Sequence, residues 1–335
     1  VRMRFLSVAS VVLVGVFASV VSPAIATGGE TYSLDDLPAV ESTPGVEQVL
    51  ILPEGQDFVI PEPGMEVRYE AIAAEGAPEV LEVLLVADED GDVAARVGDE
   101  LFGSAEGVEY LQRIEDVLDG AELFASLSEQ TSPPSIQAAA SPVKCTSADS
   151  AMLGHNWAKR LVEWQYNPTG QKGSDSAATL QRAANRWKGN LTGSCGNTGY
   201  SSLRTSYAGT TTRTPLPTSG GGCGAYAVAL NTKGWGPLPS GTLAATCTYS
   251  IGAYPYRSDQ KYNTSYAWNT GSSTACSGTR YDLQGVATHE FGHTFGLGHS
   301  QQANNQVMKP MANTCESAMR TLGRGDIRGI SYLYG

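Results

Sequence analysis

Histidine is almost missing from this chain, with four residues in 335. Basic side chains are nearly missing from its first half, where residues 27–140 hold 3 Lys and Arg against 26 Asp and Glu. Cysteine is absent before Cys145, and the six cysteines (Cys145, Cys195, Cys223, Cys247, Cys276, Cys315) include no CxxC pair. Each lack excludes something. Without close cysteine pairs, a Cys-rich zinc site is not expected. Without a clustered basic run with interleaved aromatics, neither is a nucleic-acid partner. Only the extreme N-terminus has a long apolar run, so stable membrane association is not expected either.

The charge that is present is divided. Residues 27–140 carry a net −23 and residues 141–335 a net +9, within an overall −12. Such halves attract one another, less so as salt rises, or else are two independently solvated domains. At the start, Arg2 and Arg4 precede the apolar "FLSVASVVLVGVFASVV" and the small-residue "AIA". Residues 1–26 therefore read as a secretory signal peptide, with a retained anchor as the rival reading, and the protein as secreted and extracellular. An even number of cysteines in an exported chain argues for disulfides and leaves all fifteen full pairings open.

Along the chain, residues 27–127 read as a small acidic domain of mixed α/β character. "VEQVLILPEGQDFVI" and "MEVRYEAIA" predict strands, "LEVLLVADEDGDVAARVG" a hairpin about an Asp-Gly turn, and "GVEYLQRIEDVLDGAELFASL" a helix. Asp88, Asp90 and Asp92 faintly resemble a calcium loop, but the glycine is misplaced for one. Residues 128–142, "SEQTSPPSIQAAASP", form a linker by composition and a natural place for proteolytic processing. The N-terminal region is thus expected to be a removable pro-domain, and residues 143–335 a second, cysteine-bearing domain. In that domain "LVEWQYN" predicts a strand, and "DSAATLQRAANRW" a helix capped by Ser174 or Asp175. Residues 197–270 predict several short strands joined by long loops.

Three of the four histidines fall in "THEFGHTFGLGHS". On a helix, His289 and His293 are one turn apart and offer imidazole nitrogens to one metal ion. Ala287, Phe291 and Phe295 form a separate apolar stripe. Asp282 is placed to cap the helix start and Gly296 to end it, letting the chain double back so that His299 supplies a third ligand. Three imidazoles leave an open zinc position, as in a catalytic site. Glu290, about 100° round the helix from His289, is the candidate general base for a metal-activated water. The eleven-residue HExxHxxGxxH spacing is far more specific than HExxH alone.

At these residues the chain resembles the metzincin zinc endopeptidases, and among them the matrixins. "YDLQGVATHEFGHTFGLGHS" is similar to the matrixin active-site helix and its approach. "LGRGDIRGISYLYG" is similar to the last helix, with Asp326 at the family's acidic position, and "GWGPLPSGTLAATCTY" to the strand bordering the substrate cleft. The resemblance implies an α+β, zincin-like catalytic domain with a twisted mixed, mostly parallel sheet, two major helices and a small C-terminal subdomain. It implies zinc on His289, His293 and His299, with Glu290 as base. It also implies a methionine turn at Met308, in "VMKP", that supports the metal without binding it. Three family features lack residues here. His155 alone is left over for a structural zinc site, no cysteine precedes Cys145 to hold the enzyme latent, and no tyrosine closely follows the Met turn. Latency would then fall to a carboxylate of the acidic region, to steric cover of the cleft, or to an unpaired Cys145. Ca2+ sites of the family do not transfer to particular residues. His155 reads as a surface or structural residue.

The expectation is a secreted monomeric zinc endopeptidase acting on protein or peptide substrates, with its own acidic pro-domain as partner before maturation. The alternatives are a zinc hydrolase of non-peptide amide bonds and a secreted binding protein with a vestigial site.

Overall fold

Ten strands join in one twisted, mixed sheet. The structure, a computed structural model, describes residues 29–78, 80, 82–114, 143–225 and 230–335. The signal-peptide and linker segments read from the sequence lie outside the described residues, as does the end of the helix expected in 107–127.

In chain order the sheet strands are β1 (Met65–Ala74), β2 (Val83–Ala87), β3 (Val93–Val97), β4 (Glu100–Gly103), β5 (Leu161–Asn167), β6 (Arg204–Thr210), β7 (Asn231–Gly236), β8 (Thr242–Ile251), β9 (Tyr254–Asn263) and β10 (Met311–Ala312). Their spatial order is β6-β5-β7-β9-β8-β1-β2-β3-β4, with β10 beside β1. From β6 to β9 the neighbours are parallel, and from β9 to β4 they are antiparallel. The parallel half comes from residues 161–263. Four of the antiparallel strands come from residues 65–103, so the acidic region extends the sheet of the cysteine-bearing part instead of standing beside it. The junction is long: β1 runs antiparallel to β8 from Thr242↔Ala73 to Ile251↔Met65.

Period-2 alternation explains how β1 serves two cores. Val67, Tyr69 and Ala71 face one cluster with Leu37, Leu50, Phe58, Leu85 and Tyr249. That cluster is closed by a small sheet of residues 30–32, 48–51 and 57–59. Ile72 and Ala74 face the other cluster, with Trp164, Trp187, Phe291 and Phe295. That second core lies under helices α1 (Ser176–Ala184) and α2 (Leu283–Thr294), near α3 (Arg324–Tyr334).

The predicted hairpin turn is present, with Asp88 Oδ1 accepting from the Asp90 and Asp92 amides at 2.9 Å. Residues 105–114 are helical. Two local expectations change. Asp175 takes the N-cap position of α1 but makes no side-chain cap bond. Strands β8 and β9 are ten residues long, not short. Their Thr, Ser, Gln and Lys side chains are buried in polar networks, so the usual apolar signal is missing. All six cysteines pair, as Cys145–Cys195, Cys223–Cys247 and Cys276–Cys315. An unpaired Cys145 acting as a latency switch is therefore excluded. No described helix is long and apolar enough to cross a membrane.

Candidate metal centre

Helix α2 is buried at every position from Leu283 to Thr294, an environment that a twelve-residue helix reaches only inside a core. Asp282 caps it, its carboxylate accepting from the Gly285 amide at 2.8 Å. Phe291 stacks on Phe295 at 5.7 Å and meets Trp164 edge-on at 5.5 Å. Trp187 Nε1 donates to the Thr288 carbonyl at 2.9 Å, and Trp157 Nε1 to the Thr294 carbonyl at 2.7 Å. The helix carrying the histidines is thus fixed in rotation and along its axis.

Gly296 ends the helix at φ +101°, in the left-handed region that costs a side chain strain. A Cβ there would lie 2.3 Å from the His155 carbonyl oxygen. We expect Gly296→Ala to lower unfolding free energy by about 1–3 kcal/mol and to weaken metal binding by displacing His299. Thermal melts with and without added zinc measure both effects.

The chain then brings the three predicted ligands together. His289 Nε2 lies 2.8 Å from His293 Nε2 and 3.2 Å from His299 Nε2. Three nitrogens about 2.0–2.1 Å from a tetrahedral zinc ion would stand about 3.3 Å apart, so the spacing fits zinc. The second ring nitrogens fix the tautomers. His289 Nδ1–H donates to the Val307 carbonyl and His293 Nδ1–H to the Leu297 carbonyl, both at 2.8 Å. That leaves each Nε2 lone pair aimed inward. Burial pushes the pKa of both His289 and His293 well below the usual range, the neighbouring imidazoles adding to it, and neutral imidazole is the metal-binding form.

Glu290 is fully buried. Its Oε2 accepts from Thr246 Oγ1 of β8 at 2.5 Å, while Oε1 makes no ordinary hydrogen bond. Burial raises its pKa to about 8, opposed by the Thr246 hydroxyl, the Lys233 charge and the Ile72 backbone amide. An orphaned, buried carboxylate oxygen beside three converging imidazoles fits a site that takes up an ion and a proton-bearing reactant.

Met308 lies under the helix. A Cβ on Gly292 would come within 2.2 Å of its Sδ, so the helix rests on the thioether with no space between. The loop is tied to α3 by Asp326. Its Oδ2 accepts from the Val307 amide at 2.8 Å and the Gly323 amide at 2.6 Å, and its Oδ1 from the Met308 amide at 3.2 Å. Val307 is also the residue whose carbonyl holds His289. One carboxylate therefore fixes both the methionine and, through Val307, the His289 tautomer.

His155 is not at the surface. It is 2 % exposed, and burial followed by the nearby Arg68 charge pushes its pKa down to about 3. It stays outside the histidine triad and serves as packing behind Gly296. Sequence reasoning missed Thr246 and Glu82. Glu82 Oε1 contacts His299 Nδ1 at 2.5 Å. Among the described residues, Glu70, Glu82 and His299 form a second group of metal-ligating side chains, sharing His299 with the first. No local motif marks these carboxylates, because strand pairing delivers them from more than 200 residues away.

The matrixin family model matches residues 239–335. Over 97 residues the chain is 36 % identical to matrix metalloproteinase-25 of Homo sapiens, covering 28 % of this chain and 16 % of that protein. It is 35 % identical over 77 residues to matrilysin of Homo sapiens, covering 23 % and 27 % respectively. It is 44 % identical over 54 residues to metalloendoproteinase 2-MMP of Arabidopsis thaliana, covering 16 % and 14 %. The chain thus spans at most about a quarter of the length of these relatives. Over the matched stretch, which holds the histidine triad, the chain is a matrixin-like metalloproteinase segment.

Proposed function

We propose that the protein is a secreted zinc endopeptidase, with His289, His293 and His299 holding the ion and Glu290 moving the protons. The observation that carries this reading is the convergence of three Nε2 atoms, two of them tautomer-locked by backbone carbonyls, beside a buried carboxylate with one free oxygen. Zinc, when bound, supplies a Lewis acid that polarises a carbonyl and acidifies water. Glu290 takes a proton from the attacking water and returns one to the leaving amine, a task suited to a carboxyl group whose pKa has been raised toward neutrality. Thr246 orients the carboxylate from β8, and Met308, held by Asp326, keeps the ligand helix from settling.

The substrate would be an extended peptide. Without residues 65–103, β8 is the edge strand of the sheet beside α2, and an edge strand binds peptide backbone by strand addition. We propose further that residues 27–127 act as an acidic pro-domain covering that edge, and that processing within 128–142 precedes its removal.

The test is metal removal and return. After cleavage within 128–142 and removal of the N-terminal region, the protein should digest a denatured, carboxymethylated protein. A chelator should abolish the digestion and stoichiometric zinc restore it. Digestion that survives complete zinc removal contradicts the reading. Turnover of a non-peptide amide with no peptide cleavage would reassign the substrate.

A further inference from the structure

We infer that β1 lies in the peptide groove in the orientation of a substrate, with its Ala71–Ile72 bond registered for hydrolysis, so that the metal-loaded chain cleaves itself there. The inference rests on the peptidase reading above.

Strand β1 is held on both edges. One edge pairs with β8 along its whole length. On the other edge, β2 covers Met65 to Tyr69 and β10 covers Ala73 and Ala74. Between these two partners, Glu70, Ala71 and Ile72 have no strand beside them. The gap opens on the metal centre. Glu70 belongs to the group with Glu82 and His299. Thr246, its register partner on β8, bonds Glu290.

Backbone alternation sets which groups point where. The Ala73 amide donates to the Pro310 carbonyl at 2.9 Å, on the gap edge, and the Ala74 amide to the Gly241 carbonyl at 2.8 Å, on the β8 edge. Successive residues of an extended strand turn their amide and carbonyl to opposite edges. The Ala71 carbonyl therefore points to the gap edge, where an ion on the three histidines would polarise it. The Ile72 backbone N–H faces the Glu290 carboxylate as a hydrogen-bonding neighbour. That nitrogen is the leaving amine if this bond breaks, and Glu290 is the group proposed to protonate it. The Ile72 side chain is fully buried in the same core cluster as Ala244, Leu243 and Phe295, the place a pocket for the residue after the cut would occupy.

The step balances with water alone. Its oxygen bonds to the Ala71 carbonyl carbon, the bond from that carbon to the Ile72 nitrogen breaks, and Glu290 passes a water proton to the nitrogen. The second water proton follows to the same nitrogen, so the products are a carboxylate on Ala71 and an ammonium on Ile72. Before zinc arrives the strand is held by the β8 ladder on one edge and by β2 and β10 on the other, with the contact between Glu82 and His299 beside it.

The test uses the full chain. In the metal-free protein, hydrogen exchange followed by mass spectrometry should show slow amides over 66–73 and 243–250. Exchange as fast as in an unstructured peptide would overturn the inference independently of any activity. On adding zinc, intact-mass analysis should show a new N-terminus at Ile72, forming at a first-order rate unchanged over a tenfold range of protein concentration. The Glu290→Ala chain should retain Ala71–Ile72 intact under the same conditions. A bond left intact with zinc bound, or cleavage whose rate rises with protein concentration, overturns the registration. The peptidase reading is judged separately, on protein freed of its N-terminal region. A substrate cut there while Ala71–Ile72 survives in the full chain removes this inference alone.

Discussion

Asp326→Ala should destabilise the fold by about 3–5 kcal/mol and reduce zinc affinity by about 10–100-fold. The carboxylate is buried and accepts from three backbone amides, those of Val307, Met308 and Gly323. Burial raises its pKa, opposed by those same amides and by the Lys144 charge. Removing it leaves three donors without partners in a site that water does not reach, and each such group costs about 1–3 kcal/mol. The effect on zinc follows from the chain of contacts. Val307 would lose its anchor, and with it His289 the carbonyl that sets its tautomer. Denaturant unfolding and a competitive zinc titration measure the two effects. A stability change under 1 kcal/mol with unaltered affinity would show that the Met308 loop holds itself.

His293→Ala should weaken zinc binding by at least about 100-fold. Four-ligand zinc sites bind with about 10–16 kcal/mol, so one ligand is worth about 3 kcal/mol, two decades in Kd. Its Nε2 lies 2.8 Å from that of His289, so its loss opens the cluster on one side. The control is His155→Gln, which alters a buried imidazole outside the triad. That variant should lose stability and keep its zinc affinity. Equal losses of affinity in the two variants would mean that the triad does not define the site.

Much of this centre is legible in the sequence because helical spacing makes it local. His289 and His293 share a face by the 3.6-residue period, Asp282 caps where a capping residue stands, and Gly296 turns the chain where only glycine is unstrained. The strands Leu161–Asn167 and Met65–Ala74 follow from alternation. What could not be read is what depends on distant pairing. Nothing in "MEVRYEAIA" states that it joins "GTLAATCTYS", since the partners lie some 175 residues apart and both faces of each strand are buried. For the same reason Thr246 and Glu82 were invisible as site residues, and the acidic region read as a body of its own. His155 read as surface or structural, and only the structure decides between the two, because a lone histidine in a loop carries no sign of burial.

Glu290 carries the proposed proton transfers. The decisive measurement is digestion of a denatured protein by wild type and Glu290→Ala, each freed of the N-terminal region, with zinc content determined for both. The account predicts one zinc per chain in each and a loss of at least about a thousandfold in kcat for the variant, in line with the about 10²–10⁴-fold worth of a general base. Equal digestion by the two proteins, each with its zinc, would contradict it.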